Sequence, residues 1–561
     1  MKYIYTSIAS IFLFVQLTSA QQVNQQEYYK KGMVVSAHPE ASKVGLEILK
    51  KGGNAIDAAV AVQFALAVVY PNAGNIGGGG FMVYRSAKGE IASLDYREKA
   101  PGLASRDMYL DSTGNPIIKK SLLGHMAAGV PGTVDGMVKA HKKYGKLNWK
   151  EVVQPSVDLA AKGFPITKKQ SGELNRIKAT FLRYNPAGVA FVKQDGQWKE
   201  GDLLIQKELA HTFELIRDKG RAGFYDGEVA DYMVKEMNRG EGIISKKDLA
   251  DYDSKWRTPI TGNYKNYKII TMPPSSSGGI ALVQLLHSVE PFPMKKWGHN
   301  QDSTIRLIVE AERRVYADRA THLGDPDFYK VPQKQLLDPQ YQRQRMSDLD
   351  WNRATPSSEI SAGKLAPKES EETTHYSIVD KDGNAVSITT TLNSAYGAMV
   401  VVQGAGFILN NEMDDFSVKP GSPNKYGLVG GEANSIAPGK RMLSSMTPTI
   451  IEDKGKLFMV VGTPGGSTII TSVFQTILNV IEFGQSMQEA VTSKRFHHQW
   501  LPDEVNPETG AFSDAIQQKL TEKGYKLAPR TSIGRVDAIL NTSKGYQGGA
   551  DPRGDDTAMG W

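Results

Sequence analysis

The 561-residue chain contains no cysteine. This absence excludes disulfide bonds, thiol nucleophiles, iron–sulfur clusters and zinc sites built on thiolates. A nucleophile in this protein must therefore be an oxygen or an amine. A large excess of one charge is also absent, because 67 Lys and Arg residues stand against 60 Asp and Glu residues, a net charge of +7. With 40% hydrophobic and 23% charged residues, the chain is expected to fold, and nucleic acid is not an expected partner.

Several short motifs of common enzyme classes are missing too. The sequence has no Gly-Lys-Ser/Thr of a P-loop, no Gly-x-Ser-x-Gly nucleophile elbow and no His-Glu-x-x-His zinc motif. The glycine run 77–80 follows a predicted helix and precedes a predicted strand, the reverse of a dinucleotide fingerprint, so it predicts close packing under a site. His497 and His498 are adjacent and would point to opposite sides of a strand, and we interpret them as structural.

The first twenty residues predict an export signal. Lys2 is followed by an apolar stretch at 8–17 and by small residues at 18–20, the pattern of a cleavage site. The stretch is shorter than the roughly 18 to 20 residues that cross a bilayer. The other long apolar run, 58–70, is interrupted by Gln63 and predicts a buried helix. We therefore expect a soluble mature protein without a membrane span, located in the periplasm or secreted.

The remaining chain alternates between predicted strands and helices. A strand and two helices are predicted within 34–70, two strands at 81–84 and 91–96, and a helical layer over 125–255. Residues 352–372 are rich in Pro, Ser, Ala, Lys and Glu, which predicts a flexible, exposed linker.

A hairpin is predicted directly after that linker, at 373–393. Gly383 suits the left-handed position of a three-residue loop at 381–383, and this loop makes Thr373 face Thr391. The apolar face of the hairpin then consists of Tyr376, Ile378, Val386 and Ile388. The hydroxyl-rich face consists of Thr373, His375, Ser377, Ser387, Thr389 and Thr391. A register slip of one residue would exchange the faces.

A threonine hydroxyl needs a neighbouring base to act as a nucleophile. A threonine at a chain terminus has such a base in its own α-amine, whose reference pKa is about 7.7 to 8.0. Thr373 would gain this amine if the bond between Glu372 and Thr373 were cut, most simply by attack of the Thr373 hydroxyl on the preceding carbonyl. The alternative is that Thr373 merely begins a β-strand, where threonine is favoured.

Several motifs in order carry a resemblance to a known family. They are Thr373–Ser377 with the turn at 382–384 and Thr391–Asn393, then 410–416, 443–449, 462–467 and 495–500, preceded by the segments 77–81 and 95–98. Together they resemble the γ-glutamyltransferase (γ-glutamyltranspeptidase) family of N-terminal nucleophile hydrolases. The resemblance implies an α+β fold, a four-layer αββα sandwich. It also implies cleavage of one precursor at Glu372/Thr373 into a large subunit (21–372) and a small subunit (373–561), which stay together as a heterodimer.

The resemblance also implies roles for single residues. Thr373 would be the nucleophile and Thr391 would assist it. The α-amino group of the donor would bind Asn393, Glu412 and Asp415, and its α-carboxylate would bind Arg97, Ser444 and Ser445. Tyr426 would belong to a lid formed by 420–431. Without the resemblance, Glu412–Asp415 could equally be interpreted as a solvated acidic turn or a calcium loop. Arg97 would then form a surface ion pair, and 420–431 would be an ordinary surface loop.

Gly465 and Gly466 lie between a predicted strand at 457–461 and a predicted helix at 468–482. Backbone N–H groups at such a junction can stabilise an oxyanion, helped by the helix dipole. Alternatively, the glycines serve a tight turn, and both readings are compatible.

The implied reaction transfers the γ-glutamyl group of glutathione or a similar donor to Thr373, and from there to water or to an amino acid or peptide. No cofactor is expected. A cephalosporin-acylase-like amidase or a poly-γ-glutamate depolymerase on the same fold is the nearby alternative. A non-catalytic exported binding protein is the alternative from another class. Glu412 stands where some bacterial relatives carry glutamine, which leaves donor and acceptor preferences open.

Overall fold

The computed structural model describes residues 27–360, 373–419 and 431–561. The predicted signal segment 1–20, the cleavage-side residue Glu372 and the predicted lid residue Tyr426 lie outside the described residues. None of the described helices has the length and apolar content needed to span a membrane.

Within the described residues, the strands form two larger sheets and two short pairs. The strands are β1 (Met33–Ser36), β2 (Gly79–Arg85), β3 (Ile91–Asp95), β4 (Phe164–Pro165), β5 (Leu203–Leu204), β6 (Lys255–Arg257), β7 (Ile260–Tyr264), β8 (Tyr267–Thr271), β9 (Thr373–Val379), β10 (Ala385–Thr391), β11 (Thr449–Asp453), β12 (Lys456–Gly462), β13 (Phe496–His497), β14 (Asn506–Pro507), β15 (Asp537–Thr542), β16 (Gly545–Ala550) and β17 (Thr557–Gly560).

Helices cover the outer faces of the two larger sheets. They are α1 (Pro39–Lys50), α2 (Ala55–Val69), α3 (Ile118–Leu122), α4 (Thr133–Tyr144), α5 (Trp149–Lys162), α6 (Lys168–Tyr184), α7 (Lys207–Lys219), α8 (Ala222–Tyr225), α9 (Gly227–Arg239), α10 (Lys246–Ala250), α11 (Gly278–Val289), α12 (Met294–Trp297), α13 (Asp302–His322), α14 (Gln333–Leu336), α15 (Pro339–Arg345), α16 (Thr468–Ile481), α17 (Met487–Thr492) and α18 (Asp514–Glu522). The helical layer predicted over 125–255 is confirmed.

The two larger sheets stack face to face. The seven-stranded sheet has the order β17-β1-β9-β10-β2-β3-β6 and the six-stranded sheet the order β16-β15-β12-β11-β8-β7. Neighbouring strands in both sheets pair antiparallel. An apolar core that includes Val35, Phe81, Ile450 and Ile539 lies between them. Helix α2 packs on the outer face of the first sheet, and α11, α13 and α16 pack on the second. This is the expected four-layer αββα sandwich.

Helix α2 shows how local sequence sets one of these layers. Asn54 caps its first turn in a reciprocal capping box with Asp57, and all fifteen residues of the helix are buried. The prediction of a buried helix here is confirmed, with Gln63 donating to the carbonyl of Asn75 (3.0 Å) so that its amide is satisfied.

The hairpin of β9 and β10 has the predicted register, with Thr373 opposite Thr391 and the turn at 381–383. Its apolar face contacts α2, where the Tyr376 hydroxyl donates to the Ala59 carbonyl (3.1 Å). The hydroxyl-rich face is also buried, because it packs against the second sheet. Ser377 donates to the carbonyl of Asp537 (3.1 Å) and Ser387 to that of Val461 (3.2 Å).

The predicted exposed linker at 352–372 is wrong for part of its length. Thr355, Ser357 and Ile360 are buried. The Ser357 carbonyl accepts from Trp500 Nε1 (2.9 Å) and its N–H donates to Asp503 (2.7 Å). Short polar residues can be buried when their polar groups find such partners, which composition does not reveal. Residues 361–372 lie outside the described residues.

Candidate active site

A small cavity opens where β9 begins and β10 ends. Its lining residues are Arg97, Thr373, Thr391, Asn393, Glu412, Asp415, Ser444, Ser445, Met446, Gly466 and Ile469. Nine of the twelve predicted site residues therefore line one cavity. Of the other three, Gly465 directly precedes Gly466, and the predicted residues Glu372 and Tyr426 lie outside the described residues. The open volume is about 20 Å³, room for about one water molecule.

The two threonines meet through their hydroxyl oxygens. The Thr373 hydroxyl donates to Thr391 Oγ1 across the strand pair at 3.4 Å. Thr391 Oγ1 also accepts the backbone N–H of Asn393 (2.7 Å), and Asn393 has a left-handed backbone with φ of 74°. Asparagine tolerates that conformation better than most residues, so the sequence at 393 helps to orient the Thr391 hydroxyl.

The glycine run passes directly beneath this pair. A Cβ added to Gly78 would lie 2.1 Å from the Thr391 carbonyl oxygen, and one added to Gly80 would lie 2.5 Å from the Thr389 carbonyl oxygen. Only glycine permits so close an approach of two backbones. The prediction that this run packs tightly under the site is confirmed.

Arg97, just beyond the end of β3, is surrounded by carboxylates. Its guanidinium donates to Glu412 through Nη1 and to Asp415 through Nη2, and Glu98 Oε2 lies 3.6 Å from Nη1. Arg97, Glu98 and Glu412 are each at most 1% exposed. The surface ion pair considered for Arg97 is therefore wrong, because this ion pair is buried. The solvated acidic turn considered for 412–415 is wrong for Glu412 for the same reason.

Burial and charge act in opposite directions on these groups. Burial alone would lower the pKa of Arg97, but Glu412, Asp415 and Glu98 raise it above its usual range. Burial raises the pKa of Glu98 and of Glu412, against the opposing effect of Arg97. Three carboxyl groups share one guanidinium here, and a cationic group that enters the site would favour their ionised forms.

Ser444 and Ser445 come from the segment before β11. The N–H of Ser444 donates to the carbonyl of Ser275 (3.1 Å), and the carbonyl of Ser444 accepts from Ser277 N–H (2.7 Å). Ser445 Oγ accepts from Arg319 Nη2 (2.8 Å). These contacts fix the segment, and both serines line the cavity opposite the hairpin.

Gly465 and Gly466 form the turn between β12 and α16. Their φ values are 135° and 54°, in the region that favours glycine, so the tight-turn reading holds. A Cβ at Gly465 would also lie 2.5 Å from Thr468 Oγ1. Because Gly466 lines the cavity just before a fourteen-residue helix, its position is also compatible with anion stabilisation.

The histidines near the site have structural contacts. His497 and His498 are buried, and they bond Thr471 (3.0 Å) and Asp503 (3.3 Å), which agrees with the structural interpretation. His375 shares the hydroxyl-rich face with Thr373 and contacts Thr389 Oγ1 (2.9 Å). Burial lowers the pKa of His375 to about 3, so the ring is neutral.

Sequence reasoning missed four residues around the cavity. Met446 and Ile469 line it, while Glu98 and Arg319 contact lining residues from behind. Glu98 follows Arg97 within the motif 95–98, so this motif could have identified Glu98 as a residue near the site. Arg319 lies in no segment that the sequence distinguishes. Across 27–360, 373–419 and 431–561, no cluster of three or more acidic or histidine side chains could hold a metal ion.

Comparison with known proteins gives the family. A family model for gamma-glutamyltranspeptidase matches residues 41–561, more than nine-tenths of the chain. The chain belongs to the gamma-glutamyltranspeptidase family. One relative of this chain is the glutathione hydrolase proenzyme of Escherichia coli (strain K12), which is 48% identical over 535 residues, 95% of this chain and 92% of that protein.

Solved structures agree with this assignment. The crystal structure of Helicobacter pylori gamma-glutamyltranspeptidase matches with a TM-score of 0.59 at 45% identity, covering 60% of this chain and 97% of that chain. The crystal structure of cephalosporin acylase from Bacillus halodurans matches with a TM-score of 0.82 at 25% identity, covering 100% of this chain and 98% of that chain. The expected family and the expected fold are thus confirmed for this chain.

Proposed function

We propose that this protein hydrolyses and transfers γ-glutamyl groups, with glutathione as a donor and Thr373 as the nucleophile. The observation that carries the proposal is one cavity that holds two facing threonine hydroxyls and, beside them, a buried arginine with two paired carboxylates. A hydroxyl nucleophile and a site for an amino-acid head group are the two things that this reaction requires.

Maturation is the first step of the proposed mechanism. The Thr373 hydroxyl attacks the carbonyl carbon of Glu372, the peptide C–N bond breaks, and the acyl group moves to Oγ1 as an ester. Water hydrolyses the ester and leaves Thr373 with a free α-amine. The two resulting chains remain together because β9 pairs with β1, and β10 pairs with β2, in the middle of the seven-stranded sheet.

Donor binding uses the charged groups. The α-carboxylate of the donor pairs with the Arg97 guanidinium, whose two parallel N–H groups match its two oxygens, and Ser444 and Ser445 add hydroxyl donors. The α-ammonium of the donor pairs with Glu412 and Asp415. Because Arg97 pairs with those same carboxylates and the cavity is about 20 Å³, the zwitterion must separate them as it enters.

Acyl transfer then follows in two steps. The α-amine of Thr373 takes the proton of its own hydroxyl, and Oγ1 attacks the γ-carbonyl carbon of the donor. The oxyanion faces the Gly465–Gly466 turn, the C–N bond breaks, and the leaving amine takes the proton. Water or the amine of an amino acid or peptide next attacks the γ-glutamyl ester, which returns Oγ1 and its proton to Thr373.

Residues 1–20 support export. Their charged start, apolar stretch and small-residue end are typical of a signal peptide, so the proposed site of action is the periplasm or the medium. Glutathione and free amino acids or peptides are then the proposed partners.

The acylase alternative is supported by the TM-score of 0.82 to the cephalosporin acylase. A glutaryl side chain lacks the ammonium group, however, so it would bring no partner for Glu412 and Asp415 while its carboxylate competes for Arg97. We therefore expect turnover of γ-glutamyl p-nitroanilide and little turnover of glutaryl-7-aminocephalosporanic acid. The reverse preference would support the acylase, and an unprocessed wild-type chain without either activity would support a binding protein.

A further inference from the structure

Helix α13 supports two sides of the cavity from behind. Tyr316 Oη donates to the carbonyl of Ser467, directly after the Gly465–Gly466 turn. Arg319 Nη2 donates to Ser445 Oγ at 2.8 Å. Residues three apart lie on one face of a helix, so a single face of α13 reaches both segments.

Arg319 is almost fully buried and makes two hydrogen bonds to serine side chains. It is 4% exposed, Nη2 contacts Ser445 Oγ, and Nε contacts Ser277 Oγ at 2.9 Å. A guanidinium can only donate, so each serine oxygen accepts from it and each serine hydrogen is directed to another acceptor. For Ser277 that acceptor is the carbonyl of Ser444 (2.6 Å).

The chain of contacts orders the whole serine segment. The Ser277 hydroxyl accepts a hydrogen bond from Arg319 and donates one to the Ser444 carbonyl. The Ser445 hydroxyl accepts a hydrogen bond from Arg319 directly. Hydrogen bonds in such a series strengthen one another when a charged donor begins the series. Arg319 thereby sets the direction of the Ser445 hydroxyl at the cavity wall.

We propose that Arg319 is a positioning residue for donor recognition, which fixes Ser445 as a hydrogen-bond donor toward the α-carboxylate of the γ-glutamyl group. This inference rests on the proposed function. Arg319 acts through Ser445 and does not touch the donor. Tyr316 has the corresponding task at the Gly465–Ser467 turn, which concerns the transition state instead of donor binding.

The two assignments predict different kinetic changes. Arg319→Lys keeps the charge but replaces the two separate nitrogens that donate to Ser277 and Ser445 by one, so KM for γ-glutamyl p-nitroanilide rises by about 10-fold or more while kcat changes by less than about 3-fold. Tyr316→Phe lowers kcat and leaves KM within about 3-fold. Arg314→Lys is the matched control, because Arg314 is equally buried on α13 but pairs with Glu310 (2.7 Å). Its KM should equal that of the wild type.

A double-mutant cycle separates positioning from a general loss of structure. In a Ser445→Ala background, Arg319→Lys should change KM by less than about 2-fold, because the side chain through which it acts is gone. Equal effects in both backgrounds, or an unchanged KM in the single variant, would overturn the inference. The inference would also be overturned if the Arg319→Lys and Arg319→Gln chains remained unprocessed and had a lower Tm than Arg314→Lys.

Failure of this inference can be told from failure of the proposed function. A wild-type protein that is folded but does not turn over γ-glutamyl p-nitroanilide refutes the proposed function. An active wild type together with an active Arg319→Lys variant of unchanged KM refutes the role of Arg319 alone.

Discussion

The two walls of the cavity are built in different ways. The threonine wall (Thr373 and Thr391) comes from residues 18 positions apart on one hairpin. The charged wall (Arg97, Glu412 and Asp415) joins Arg97 to partners 315 and 318 positions away. A hairpin register can thus place two hydroxyls locally, whereas a buried charge set needs the complete fold to balance it.

The largest expected effect tests the threonine wall. Thr373→Ala removes both the proposed self-cleaving group and the proposed nucleophile, so the chain should stay intact and lose activity by about 10⁴-fold or more. Thr374→Ala is the matched control, because Thr374 is equally buried on the opposite face of β9 and its hydroxyl has no hydrogen-bond partner among the described residues. It should be processed and active. A denaturing gel measures processing and an anilide assay measures activity. Equal processing and equal activity of the two variants would contradict the role proposed for Thr373.

The next effect tests the charged wall. Arg97→Lys retains a positive charge but loses the planar pair of N–H groups, so KM for the donor should rise by about 100-fold, with processing intact. Arg85→Lys provides the control, since Arg85 is also buried and pairs with Glu452 (2.7 Å) at the other end of β2. A donor KM that rises equally in both variants would show that any buried ion pair has this effect.

A smaller effect is expected at Thr391, where two substitutions distinguish the role of the hydroxyl group from that of side-chain size. Thr391→Val keeps the shape but removes the hydrogen bond to Thr373, and we expect kcat to fall by about 10- to 100-fold with KM little changed. Thr391→Ser should stay within about 5-fold of the wild type. Steady-state kinetics on processed protein measure both, and a fully active valine variant would remove Thr391 from the mechanism.

The smallest effect concerns His375, which lies behind the threonine wall. Its pKa is about 3 in the folded protein and 6.5 when unfolded, so the unfolded chain binds the extra proton as pH falls below 6.5. Stability from this group is therefore present above pH 6.5 and is lost on acidification, by about 2 kcal/mol at pH 5.

Urea unfolding at pH 6.5 and pH 5 measures this loss. The unprocessed Thr373→Ala chain suits the experiment because it is one polypeptide, and His375→Gln in that background should show a correspondingly smaller decrease. An identical decrease with and without His375 would contradict a neutral, buried ring.

The threonine wall could be predicted from the sequence because its determinants are local. Alternation in β9 and β10, together with Gly383 in the turn, was enough to place Thr373 opposite Thr391. The residues alone left open whether Thr373 does more than begin a strand. The resemblance to the family supplied the partners of the charged wall.

The contacts behind the walls could not be predicted in the same way. Arg319 reaches Ser445 only because α13 packs beside α11 in the folded protein, and no spacing in the sequence encodes that distance. The burial of Ser357 within a predicted linker has the same origin, since its partners Trp500 and Asp503 are far along the chain. Tertiary hydrogen bonds therefore determine both the position of Arg319 and the burial of Ser357.

The central claim is that Thr373, freed at a chain terminus, carries the acyl group. The direct measurement is intact-mass analysis of active protein, quenched in acid shortly after a γ-glutamyl donor is added. We predict a small chain of residues 373–561 and, on it, an adduct of one glutamyl group that peptide mapping assigns to Thr373. Active protein whose residue 373 is still joined to Glu372, or an adduct on another residue, would contradict the account.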